Sequence, residues 1–239
     1  MKKLIMLGTG NAMVTKIFNT CFLIELPDGE LFMTDAGGGN GILRQMEQAE
    51  ADYSRIHHMF VTHGHTDHIL GVVWMIRKIA SLMNNGKYEG QLHIYCHDVV
   101  ADMLNTMCTM MLKKKDLANV GRDILIHEVK DGQVVELPQL KLTAFDIFST
   151  KAKQGVDWLL SEAFCKYGDR DRFKPYEKNH STSKEAGELA QELGVKNVVL
   201  YHTEDKTLTT RKEEYGAECS KYFQGNVYVP EDLEVINLG

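Results

Sequence analysis

The sequence predicts an α/β chain of two facing mixed β-sheets with helices on the outer faces, an αββα sandwich. Three observations lead there. Strand and helix patterns mix in both halves of the chain, so both element types must share the core. The strand runs are too irregular for a simple βαβ winding. Apolar residues make up 44% of 239 positions, enough to build one large core, so a single domain over residues 1–239 is expected.

Taken in order, Lys3–Leu7, Cys21–Leu26 and Glu30–Thr34 read as strands, the last two joined by the turn Pro27-Asp28-Gly29. Gly41–Ala51 reads as a helix and Ile56–Val61 as a short apolar strand. Ile69–Met83 is apolar on nearly every side, the mark of a buried helix. Gln91–Cys96 is a strand, and Val99–Leu112 a helix whose methionines (Met103, Met107, Met110, Met111) read as core filler rather than a binding surface. From Asp123 to Thr150 the pattern turns to strands: DILIHEV, QVVEL and KLTAFDIF. Trp158–Ala163 is a strand. Thr182–Leu193 is a helix with Thr182 and Glu185 spaced as a capping box and Gly194 at its end. Asn197–Tyr201 is a strand and Thr209–Phe223 a helix, and two short strands close the chain.

Composition excludes several functions. The net charge is −6, from 27 basic and 33 acidic residues, so there is no basic stripe to coat a nucleic-acid duplex. Lys113, Lys114 and Lys115 form the one compact basic cluster and read as a solvated helix end. No apolar run reaches the roughly 18–20 residues needed to span a bilayer, so no membrane partner is expected. The opening MKKLIMLGTG reads as a first strand rather than a leader. Five scattered cysteines without a CxxC pair point to a reducing, cytoplasmic setting.

Chemistry concentrates in the histidines. Of ten, five fall within Ile56–His68. His57 and His58 read as surface and packing residues. The stretch His63-Gly64-His65-Thr66-Asp67-His68 follows an apolar strand and precedes an apolar helix, with Gly64 expected to allow a sharp turn. Unmetallated, three imidazoles and a carboxylate would crowd a strand end with no packing benefit. Such a donor set suits zinc, and also manganese or iron.

The pattern His63-x-His65-x-Asp67-His68, in that strand–loop–helix context, resembles the HxHxDH motif of the metallo-β-lactamase fold, and the resemblance covers nearly the whole chain. Met33-Thr34-Asp35-Ala36-Gly37 is similar to the strand end whose Asp braces the metal loop, and Leu200-Tyr201-His202 to the strand that delivers a last histidine ligand. Three segments resemble the ribonuclease Z-like phosphodiesterase branch. They are Leu7-Gly8-Thr9-Gly10-Asn11-Ala12, Leu159-Leu160-Ser161-Glu162-Ala163-Phe164 beside that branch's HEAT segment, and His180-Ser181-Thr182 beside its HST segment. Without the family, Glu162 reads as a strand-end carboxylate and His180 as a residue flanking a helix start.

The resemblance implies a metal-dependent hydrolase acting on a phosphodiester, RNA being one candidate. His63, His65, Asp67, His68 and His202 would be metal ligands, with one or two zinc ions per chain and manganese or iron as alternatives. Asp67, Glu162 and His180 would be catalytic: a metal-activated water attacks, and His180, oriented by Glu162, protonates the leaving alkoxide. A homodimer is left open. The sequence departs from the family in two places. No histidine occurs in Lys141–Thr150, where Phe148 or Ser149 stands at the place of the family's third ligand and only Asp146 offers a carboxylate. The Gly-Asp pair that bridges two metals is missing, and Asp157 reads as structural. Two rival readings follow: a hydrolase of another ester, such as a lactone or thioester, or a family member that binds metal without turnover.

Overall fold

The computed structural model describes residues 1–144 and 156–239. In chain order the elements are β1 (Lys3–Gly8), β2 (Cys21–Glu25), β3 (Leu31–Thr34), α1 (Gly41–Gln48), β4 (His58–Phe60), α2 (Thr66–Asn84), β5 (Leu92–Cys96), α3 (Asp98–Met111), α4 (Lys114–Leu117), β6 (Ile124–Glu128), β7 (Val134–Glu136), β8 (Lys141–Thr143), β9 (Trp158–Glu162), α5 (Arg170–Phe173), α6 (Ser183–Leu193), β10 (Asn197–Tyr201), α7 (Leu208–Cys219), β11 (Asn226–Tyr228) and β12 (Val235–Asn237). Each segment expected from the pattern carries an element of the expected type, and the short α4 and α5 are additions. The remainder of the KLTAFDIF run, with Asp146, Phe148 and Ser149, lies outside the described residues. None of the described helices is long and apolar enough to cross a membrane.

The described chain divides into two compact units. The first comprises residues 1–8, 20–144 and 233–239. Its seven-stranded sheet has the order β12-β1-β2-β3-β4-β5-β6. The first four strands are antiparallel neighbours, and β3 through β6 run parallel. The β2–β3 hairpin turns at Gly29, whose φ of 92° suits glycine, with Asp28 accepting the Glu30 N–H at 3.0 Å. Parallel strands need crossovers, and α2 and α3 supply them, burying Ile69, Val72, Ile76 and Ile79 from one and Val100, Leu104 and Cys108 from the other.

Two of the four α3 methionines depart from expectation, while Met103 and Met107 are half-buried. Met110 and Met111 are 80% and 64% exposed, because the buried stripe of this helix runs through Val100, Ala101, Leu104 and Cys108 and leaves them on the outer side.

Gly71 of α2 donates its N–H to the Gly37 carbonyl at 2.8 Å, and a Cβ built there would lie 1.8 Å from the Ala36 carbonyl oxygen. That neighbour is backbone and cannot swing aside. Gly71→Ala is therefore expected to lower stability by about 3 kcal/mol, a fall in melting temperature of about 6–12 °C for a chain of this size. A calorimetric scan unchanged within a degree would refute the close approach.

On β4, β5 and β6 the register brings His58, His93, Tyr95 and His127 together. His93 Nδ1 lies 2.9 Å from His127 Nε2, and the Tyr95 hydroxyl 3.4 Å from His58 Nδ1. Burial, then the neighbouring imidazoles, lowers the pKa of His58 to about 4, and burial lowers those of His93 and His127 as well. Since these folded-state values lie below the unfolded value of about 6.5, the unfolded chain binds protons first as pH falls. Stability should then be lost progressively from about 6.5 down to about 4. Urea midpoints across that range should fall less steeply in His58→Gln than in the parent, and parallel slopes would rule out His58 as a contributor.

The second unit comprises residues 9–19 and 156–232 of the described chain. Its sheet has the order β11-β10-β9, with β10 parallel to both neighbours. Helices α6 and α7 pack on it through Ala186, Ala190, Tyr215 and Cys219. The expected capping box forms, and Gly194 ends α6 at φ 66°. The Asp157 carbonyl accepts the Lys196 and Asn197 N–H groups and its carboxylate pairs with Lys196 at 2.7 Å, a structural role as expected.

Candidate metal centre

In the first unit the chain leaves β4 at Phe60, passes through Val61-Thr62-His63-Gly64-His65 and enters α2 at Thr66. Asp67 lies in the first helical turn, where the positive end of the helix favours a carboxylate. The ring centroids of His63 lie 4.5 Å from His65 and 4.1 Å from His68, and His63 Nε2 is 3.0 Å from His65 Nδ1. His68 Nε2 lies 3.3 Å from the Asp67 carboxylate. This unit therefore gathers His63, His65, Asp67 and His68. Gly64 stands in this turn without a left-handed backbone. Its missing side chain leaves room for Met103, whose Sδ would sit 2.7 Å from an added Cβ.

Asp35 holds this loop together. Its buried carboxylate accepts the Thr62 N–H at 2.9 Å, the Thr62 hydroxyl at 2.8 Å and His68 Nδ1 at 2.8 Å. It does so from a left-handed backbone at φ 55°, a conformation tolerated by few residue types and concentrated at functional sites. Burial opposes a charge on His68, but hydrogen bonds to Asp35 and Asp67 outweigh it and raise the pKa to about 9. Burial and the charge on His68 lower that of His63 to about 4. His63 is thus neutral at pH 7, the form that ligates metals, whereas His68 would have to release its proton on taking an ion. The two carboxylates around His68 make a pocket of negative potential that favours a cation.

In the second unit, His180 Nδ1 lies 2.9 Å from Glu162 Oε2, and Glu162 Oε1 accepts the Ser181 N–H at 2.6 Å. Burial works against the Glu162 charge, yet the His180 and Ser181 hydrogen bonds hold its pKa below the ordinary carboxylate value. The donor atoms of Glu162, His180 and His202 all lie within 4.8 Å of one another. His202 follows β10 at φ 58°, the second left-handed residue among the candidates. Each unit therefore carries nitrogen and carboxylate donors in the mix that suits a divalent cation.

Sequence reasoning missed the network around His202. The buried Arg211 guanidinium donates to the Thr203 hydroxyl at 2.7 Å, the Thr9 hydroxyl at 3.3 Å and the Pro230 carbonyl at 2.9 Å. Asp205 accepts the Thr15 and Lys16 N–H groups at 2.7 and 3.2 Å. These bonds and the Lys206 ammonium bring its pKa to about 2 despite burial. Little in the local sequence marks these residues, because the Thr15 and Lys16 N–H groups lie 189–190 positions from Asp205 and Thr9 lies 202 from Arg211.

Solved structures share this architecture. Over 98% of both chains it superposes on the metallo-beta-lactamase fold protein YhfI from Bacillus subtilis, with a TM-score of 0.73 and 16% identity. Over 99% of both chains it matches the short form of human tRNase Z, with a TM-score of 0.72 and 19% identity. The fold is thus the metallo-β-lactamase fold, α/β with mixed sheets and helices. Among curated proteins, ribonuclease Z from Thermococcus onnurineus is 30% identical over 179 residues, covering 73% of this chain and 50% of that protein. Ribonuclease Z from Methanothermobacter thermautotrophicus is 34% identical over 145 residues, 60% of this chain and 43% of that one. The chain spans about half the length of the curated relatives it matches. A sequence model described as "Anti-Pycsar protein Apyc1" matches residues 2–215, and the chain belongs to that family of metallo-β-lactamase-fold hydrolases.

Proposed function

We propose that the protein is a metal-dependent phosphodiesterase acting on a small phosphodiester, a cyclic nucleotide ahead of RNA. The observation that carries this reading is the Glu162–His180 pair. Opening a lactone or thioester needs no proton donor for a poor alkoxide leaving group, whereas cleaving an alkyl phosphodiester does. The family, one of cyclic nucleotide phosphodiesterases, supports the smaller substrate, and so does the net charge of −6.

His63, His65, Asp67, His68 and His202 are the proposed ligands, for zinc or for manganese or iron in its place. Such an ion, when bound, supplies Lewis-acid polarisation of the phosphoryl oxygen and a lowered pKa for water. Asp35 fixes Thr62 and His68 so that the donors of the first unit keep their arrangement. Glu162 holds the proton on His180 Nδ1, which leaves Nε2 to carry the proton that is transferred. As a water oxygen bonds to phosphorus and gives up a proton to solvent, the P–O bond to the leaving group breaks, its electron pair stays on the leaving oxygen, and that oxygen takes the Nε2 proton. The reading takes residues 1–239 as one functional domain in a reducing, cytoplasmic compartment, in keeping with five buried cysteines outside any disulfide.

A second reading has one observation in its favour: no histidine occurs between His127 and His180, so the family's third histidine is missing. The chain would then bind metal without turnover. One experiment separates the readings. Purified protein with added Zn²⁺ or Mn²⁺ is offered a 3′,5′-cyclic mononucleotide, an RNA with a 3′ trailer, a lactone and a thioester, and products are resolved by chromatography. Metal-dependent opening of the cyclic nucleotide is expected. Turnover of the lactone or thioester alone would overturn the phosphodiesterase reading. Bound metal by elemental analysis with no turnover of any substrate would establish the second.

A further inference from the structure

We propose that Phe164 is a positioning residue for His180: its ring holds the imidazole in the plane from which Nε2 gives its proton to the leaving oxygen. This rests on the phosphodiesterase reading and adds a residue to it. The Phe164 and His180 rings lie 4.6 Å apart between centroids and only 4° from parallel, within the range of stacked aromatic pairs. Phe164 is 5% exposed, so its ring has little freedom of its own. The hydrogen bond from His180 to Glu162 pins one ring atom and leaves the tilt of the imidazole open. A flat neighbour removes that freedom.

The hydrogen bonds around the pair set the two residues side by side. Phe164 donates its N–H to the Ser181 carbonyl at 2.9 Å, Ser181 donates its own to Glu162 at 2.6 Å, and Ser183 donates to the Cys165 carbonyl at 3.0 Å. Residues 162–165 and 181–183 are therefore laced side by side, which brings the side chains of Phe164 and His180 within stacking distance. The Phe164 carbonyl in turn accepts the Glu204 N–H at 2.9 Å, which ties the platform to the segment after His202. Lys178 places its ammonium 4.9 Å from the centroid of the same phenyl ring, adding a cation–π contact. Phe164 stands where the HEAT-like segment would carry threonine, so the platform belongs to this chain's own version of that segment.

The test uses the metal-loaded full chain and two substitutions, Phe164→Leu, which keeps bulk but loses the plane, and Phe164→Tyr, which keeps the plane. The first measurement is the NMR shift of the His180 ring protons, assigned by their loss in His180→Gln. A phenyl ring stacked on the imidazole moves these protons upfield. Phe164→Leu should move them downfield and Phe164→Tyr should leave them in place. The second is the ratio of kcat/KM for a phosphodiester with an alkyl leaving group to that for an activated nitrophenyl diester. Phe164→Leu should lower the ratio about 10-fold, a fraction of the 10²–10⁴-fold typical of general acid catalysis, and Phe164→Tyr should restore it. If Phe164→Leu does not fold, Phe164→Met takes its place.

Unmoved ring protons would overturn the stack. Moved protons with an unmoved ratio would overturn the positioning role. Equal loss on both substrates would mark Phe164 as structural only. A parent protein without phosphodiester turnover would defeat the functional reading and the positioning role with it, while the NMR comparison still decides whether the rings stack.

Discussion

Asp67→Asn should abolish phosphodiester hydrolysis and cut bound metal, with a rate at least about 10³-fold below the parent. The expectation follows from what the carboxylate does in the first unit. Asp67 sits beside His68 at 3.3 Å, in the first turn of α2, where helix and imidazole both stabilise its charge. Replacing it by the neutral amide keeps the volume and removes the only anionic member of the His63–His68 cluster. A divalent ion held by neutral imidazoles alone is bound more weakly. Losing its Lewis-acid contribution, several kcal/mol of transition-state stabilisation, amounts to about 10³-fold or more at 1.36 kcal/mol per decade. Chelation of the parent should give the same loss, and re-addition of Zn²⁺ or Mn²⁺ should restore the parent but not the variant. His65→Ala should also lose activity. One tightly held ion per chain is expected, because the sequence lacks the third histidine that would complete a site around His63 and His65. Activity surviving exhaustive chelation, or full metal content in Asp67→Asn, would remove Asp67 from the ligand set.

How much of this was legible in the sequence depends on the distance over which each feature is encoded. The His63–His68 loop was plain because donors, preceding strand and following helix are contiguous. The capping box at Thr182 and the stop at Gly194 were equally local. Glu162 and His180 were visible only through short family-like segments, since a strand end and a helix flank look ordinary until the fold sets them 2.9 Å apart. The Asp205 and Arg211 networks were hidden, because a buried charge is recognised by its partners and several of these, Thr9, Thr15 and Lys16, are far away in sequence. Met110 and Met111 misled because a run of apolar residues does not say which face is covered. Gly64 was legible only in part. Glycine can signal an unusual φ or a lack of space, and the sequence does not distinguish them, whereas Met103 above the Gly64 backbone does.

His180→Ala should separate substrates by their leaving groups. An alkyl phosphodiester expels a strongly basic alkoxide, which needs a proton as the P–O bond breaks. An activated nitrophenyl diester expels an oxyanion that is stable without one. Removing the donor should therefore cost about 10²–10⁴-fold on the first class and little on the second. Glu162→Gln should show the same selectivity, because the amide cannot hold Nδ1 as the half-buried carboxylate does at 2.9 Å. It also gives up the charge that the His180 and Ser181 hydrogen bonds now stabilise. The double variant should be little worse than either single one, since two residues that serve one proton transfer lose it only once. Strictly additive losses would mean that Glu162 and His180 act separately. Equal losses on both substrate classes would mean that the pair serves the start of α6, where Thr182 and Glu185 already cap the helix, rather than the leaving group. In that case the proton donor would have to be sought elsewhere in the second unit, and its only other imidazole is His202, a proposed metal ligand.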